Sequence, residues 1–152
     1  MMKNHVKRYL DRHSERGPWQ LEASGFQGLR NAVVIPALAE YPAILETLYS
    51  LSLNSNLELT RTLVVCVVNN RPFPHATEEE IGNNQRTLSI IRCLMRKEAC
   101  DGVSQKEAKF IGEINRSEIR LGCVDVSSRG RELPVEGGVG LAGWHGGMGD
   151  AF

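Results

Sequence analysis

The chain has no net charge to work with. Lysine and arginine total 18 and aspartate and glutamate total 18, so no overall field draws it onto nucleic acid or anionic lipid, and no nucleic-acid partner is expected. It lacks any run of the roughly 18 apolar residues that a membrane span requires. Its basic opening, MMKNHVKRYLDRHSERGPWQ, contains no apolar stretch of signal-peptide length. The expectation is a cytoplasmic protein without a transmembrane segment. Cys-x-x-Cys pairs are missing too: Cys66, Cys93, Cys100 and Cys123 stand apart, and His5, His13, His75 and His145 show no metal-like spacing with them or with one another. That argues against structural zinc and for reduced thiols inside the core. There is no internal repeat and no low-complexity tract.

What the chain does have is the composition of an ordinary globular protein. Its 152 residues are 41% apolar and 24% charged, enough for one domain with a real core. Residues 1–30 are polar and end in ASGFQG, which reads as an N-terminal arm or helix followed by a loop. From residue 31 onward the pattern is α/β. NAVVIP, residues 31–36, is a short β-branched run closed by a proline, whose predecessor is biased to extended geometry, so it predicts a first strand. Pro42 sits where a first helical turn tolerates proline, and Ile44, Leu45, Leu48 and Leu51 form one apolar face, predicting a helix over 42–53. TLVVCVV, residues 62–68, is a continuous apolar run of the kind found in buried parallel strands. Together these make a βαβ unit.

A second helix is predicted over 77–97, with Ile81, Leu88, Ile91 and Met95 among its apolar positions. Glu78, Glu79 and Glu80 fall in its first turn, where they suit the helix dipole better than they suit catalysis. Residues 101–117 read as a polar connector with room for a short helix, and IRLGCVDV, residues 119–126, as a third strand. The remainder, SSRGRELPVEGG and VGLAGWHGGMGDAF, is loop-like by composition. Within it Gly138-Val-Gly140-Leu-Ala-Gly143 matches a GxGxxG pattern, but no strand with a ribose-binding acid follows, so a dinucleotide site is not expected.

Ligands of open parallel sheets bind beyond the carboxyl ends of the strands. Those ends are Pro36-Ala37-Leu38-Ala39-Glu40 and Asn69-Asn70-Arg71, both able to present backbone groups and amides to a base or ribose. They can equally be ordinary βα turns, in which asparagine bonds its own backbone.

VVIPALAE with its PAILETLYSL helix, followed by LVVCVVNNR, resembles the opening of family 2 glycosyltransferases, and IRLGCVDVSSRGRELPVEGGVGLA resembles their third strand and glycine-containing loop. The resemblance spans about residues 31–151. It implies a Rossmann-like, mostly parallel three-layer sandwich, the nucleotide-binding half of a GT-A domain over 31–152, that takes a nucleotide-sugar donor. It further implies that Pro36, Ala37, Leu38 and Glu40 line the base and ribose, that Asn69 and Asn70 replace the family's aspartate pair, that Arg71 reaches a phosphate, and that Asp125, Gly138 and Gly140 lie near the nucleotide. A divalent metal such as manganese or magnesium would accompany activity. Three departures are visible: amides stand for acids at 69 and 70, Gly143 occupies the place of a basic residue, and the family's metal-binding Asp-x-Asp is not reached. The alternative is a non-catalytic α/β binding or assembly module of the same fold. An incomplete sheet would expose an edge, which predicts a homo-oligomer or a missing C-terminal partner region.

Overall fold

The computed structural model describes residues 4–14, 17–71 and 74–132. Helix α1 (Asn4–His13) and a short strand β1 (Leu21–Ala23) come first. The α/β unit follows as β2 (Asn31–Ala37), α2 (Ala43–Ser52), α3 (Asn56–Arg61), β3 (Thr62–Asn69), α4 (Glu78–Met95), α5 (Gln105–Arg116) and β4 (Arg120–Val126). The strands form one mixed sheet in the order β1-β4-β3-β2. β2, β3 and β4 run parallel, with Val33, Val64 and Leu121 in one row and Ile35, Cys66 and Cys123 in the next.

The strand order decides the layering. β2, β3 and β4 step in one direction across the sheet, so right-handed crossovers place their connecting helices on the same face. One apolar cluster results, in which Leu45 and Leu48 of α2, Leu88 and Ile91 of α4, and Ile111 and Ile114 of α5 meet Val64, Cys66, Val68, Leu121 and Cys123 of the sheet. Burying each large aliphatic side chain contributes about 2 kcal/mol. The described residues thus form an α/β domain of Rossmann-like βαβ units. The third layer expected from the sequence is not among them, because a second helical face needs a reversal of strand order that β2 to β4 do not make.

Three further differences from the sequence reading have local causes. Residues 21–23, read as part of an arm and loop, pair antiparallel with β4. Gly122 permits this: a Cβ there would stand 2.8 Å from the Glu22 backbone oxygen. The polar connector contains a full helix, α5, opened by a capping box in which Ser104 and Glu107 satisfy each other's backbone N–H. Between the predicted helix and the strand at 62–68 lies a further short helix, α3, whose N-cap is Ser55. The acidic first turn of α4 likewise contains a capping box, Thr77 with Glu80. No helix among the described residues is long and apolar enough to cross a membrane.

Since β1 lies against the bare Cα of Gly122, Gly122→Ala should push β1 away and cost about 1–3 kcal/mol. Urea denaturation measures the loss, and amide exchange should rise selectively at Leu21 to Ala23.

Candidate functional site

The parallel strands deliver three chain segments to one end of the sheet: 37–40 after β2, 69–71 after β3 and 126–128 after β4. A single side chain ties them together. Asn84, in the second turn of α4, is completely buried. Its Oδ1 accepts the Ala39 N–H at 2.7 Å, and its Nδ2 donates to the Asn69 carbonyl at 2.9 Å and to Asn70 Oδ1 at 2.5 Å. Asn70 Nδ2 in turn donates to the Ser127 carbonyl at 2.6 Å, reaching the third segment. Beside it Asn83 pairs with the backbone of Tyr41, accepting its N–H at 3.0 Å and donating to its carbonyl at 2.8 Å.

The β2 end is bent to meet this amide. Ala39 adopts φ 54, the left-handed region that costs a residue with a Cβ about 1–2 kcal/mol. The bond to Asn84 offsets that cost and fixes the turn. The Tyr41–Pro42 peptide is cis.

Of the residues singled out from the sequence, the structure gathers most but gives them different roles. Pro36 and Glu40 are exposed, Ala37 is buried beneath the turn and Leu38 is partly covered. Asn70 is buried and fully engaged, so its amide serves as a strut between loops. Asn69 is 4% exposed, and its Oδ1 has no hydrogen-bond partner among the described residues. By register its side chain shares the face of Val67 and Val126, opposite the helical layer. Arg71 Nε sits 2.9 Å from Glu80 Oε1 at the start of α4, with its guanidinium mostly in solvent. Gly138 and Gly140 lie outside the described residues.

Asp125 is buried and spent on its own turn. Its Oδ1 accepts from Ser127 N at 3.1 Å, Ser128 N at 2.9 Å and Ser127 Oγ at 3.3 Å. Its Oδ2 lies 3.6 Å from Arg92, which also holds Glu22 of β1 through two bonds of 2.9 and 2.7 Å. Burial pushes the Asp125 carboxyl up, but the Ser128 and Ser127 hydrogen bonds and the Arg92 charge outweigh it and leave the pKa below the ordinary 3.8. The Arg92 hydrogen bond holds Glu22 below its ordinary 4.5. Three of the thiols offer no nucleophile near neutral pH: burial pushes Cys66 up to about 12, Cys100 to about 12 and Cys123 to about 11. Among the described residues no cluster of three or more His, Cys, Asp or Glu is placed to hold a metal ion.

Fold and site together define an α/β domain whose strand ends are bound into one amide network, with one acceptor left over. The chain matches no known family model, no curated protein and no solved structure. Asn83, Asn84, Ser127 and Arg92 escaped the sequence reading. The signal available was Asn83-Asn84 inside a helix, where asparagine is a poor helix former and needs a local reason.

Asn84→Ala should leave the Ala39 N–H, the Asn69 backbone carbonyl and Asn70 Oδ1 without this partner and cost about 2–4 kcal/mol by chemical denaturation. The Arg92 pair gives a pH signature. Glu22 and Asp125 have folded-state pKa values below their unfolded ones, so the stability they contribute is present above the unfolded values and is lost as pH falls through the folded ones. Thermal midpoints should therefore drop below about pH 4.5, the ordinary Glu22 value, and Arg92→Met should start lower at pH 7 but show a flatter acid limb.

Proposed function

We propose that the carboxyl end of the sheet binds the nucleoside part of a nucleotide sugar, and that the chain carries the donor-recognition portion of a GT-A domain like that of the family 2 glycosyltransferases. The observation that carries this reading is the Asn69 side-chain oxygen Oδ1, buried and without a hydrogen-bond partner among the described residues, at a strand end where the Asn70 and Asn84 amides are engaged. A buried acceptor left open costs about 1–3 kcal/mol. A ligand N–H, such as that of a pyrimidine or guanine ring, would satisfy it. The turn at 37–40, with Pro36 and Glu40 exposed beside it, supplies backbone and carboxylate acceptors for a ribose.

The same residues limit the reading to recognition. A divalent metal such as manganese or magnesium would neutralise the diphosphate of such a donor, but the described carboxylates form no cluster that would hold one: Asp125 is committed to Ser127, Ser128 and Arg92, Glu80 to its cap and Arg71, and Glu40 stands alone. The commitment of Asp125 also supports a second reading, a non-catalytic α/β binding or assembly module.

Titration calorimetry against UDP, GDP and CDP, with and without manganese, separates the two. A nucleoside diphosphate should bind the native chain and raise its thermal midpoint. Asn69→Val should abolish that heat while making the free protein more stable, since it replaces an unsatisfied amide with a strand-favouring apolar residue. Absence of heat with every nucleotide leaves the module reading.

A further inference from the structure

The two edges of the sheet are unlike. β1, on one side, is a strand of only three residues. β2, on the other, has seven, and among the described residues it is hydrogen-bonded only to β3 and has no strand on its second side. An edge row of free N–H and C=O groups is a template for another strand, and proteins usually guard it with lysine, a bulge or a covering element. NAVVIPA carries no charge. Val34 is 62% exposed and Val33 37%. Pro36, which has no N–H, confines pairing to residues 31–35.

The charges around the strand select the occupant. Arg30 stands just before β2 and Glu40 just after its end; both are exposed and neither joins an ion pair among the described residues. An arrangement of cation at the start and anion at the end is complementary to itself when a second strand runs antiparallel, and repels itself when the strand runs parallel.

We propose that β2 is a homodimer interface: two copies of this chain pair β2 to β2 antiparallel about a two-fold axis at Val33. Asn31 then faces Ile35 and Ala32 faces Val34 of the second copy, the sheet continues across the contact, and Arg30 of each copy comes to the end where Glu40 of the other stands. Such an isologous contact uses up the β2 edge of each copy and closes at two chains. The proposal is independent of the nucleotide reading.

Sedimentation velocity of the full chain, from about 1 to 100 µM, should show a reversible monomer–dimer equilibrium. Val34→Lys should weaken it by roughly tenfold or more, with far-UV circular dichroism unchanged because Val34 makes no core contact. Arg30→Glu should weaken it as well, and Arg30→Glu with Glu40→Arg in the same chain should restore it. The proposal is overturned by a wild-type chain that stays monomeric throughout, by growth beyond the dimer, or by a Val34→Lys dimer as tight as wild type. Failure of the double charge exchange to restore pairing would overturn the antiparallel arrangement.

Discussion

One buried amide holds the carboxyl end of this sheet together. Asn84 contributes an acceptor to the β2 turn and two donor contacts to the β3 end, and Asn70 passes the connection on to the turn after β4. Ala39 and Ser127 lie past the last rung of their strands, and Asn69 stands at the very end of β3. Burying such groups without partners is costly, so the loops can be compact only while the amide is in place. The left-handed Ala39 and the spacing of the three strand ends follow from it.

Beneath this network the fold rests on an asymmetric division of surface. The helices cover one face because β2, β3 and β4 step in one direction, and the largest buried side chains collect between that face and α2, α4 and α5. On the far side of β4, Arg92 joins β1 to the helix layer through Glu22 and touches Asp125. Among the described residues β2 has no comparable strap. Its exposed valines and uncharged edge are the least protected part of the sheet.

The site inherits its character from which polar groups the fold consumes. Asp125, the only acid singled out from the third strand, terminates its own strand by capping the turn at Ser127 and Ser128. Asn70 and Asn84 brace loops. What is left over among the described residues is the Asn69 side-chain oxygen, the exposed Glu40 carboxylate and the backbone of the β2 turn.

The elements were legible where periodicity was strong. NAVVIP, TLVVCVV and IRLGCVDV announced three parallel strands, and the apolar spacing of Ile44 to Leu51 and Ile81 to Met95 announced the two main helices, because a strand buried on a sheet and a helix with one buried face each impose a period on their own residues. The strand-end loops around Ala37 and Asn69 were legible for the same reason, as the places where those periods stop. Sequence could not show β1, whose three residues pair only because Gly122, a hundred positions away, lacks a side chain. Nor could it assign roles to the amides: Asn69 and Asn70 are chemically identical neighbours, and only the position of Asn84 decides that one is a strut and the other an open acceptor. Local patterning fixes which residues form strands and helices because the constraint lies within each segment. Hydrogen-bond satisfaction, edge exposure and the number of layers depend on partners distant in the chain, so the tertiary structure alone decides them.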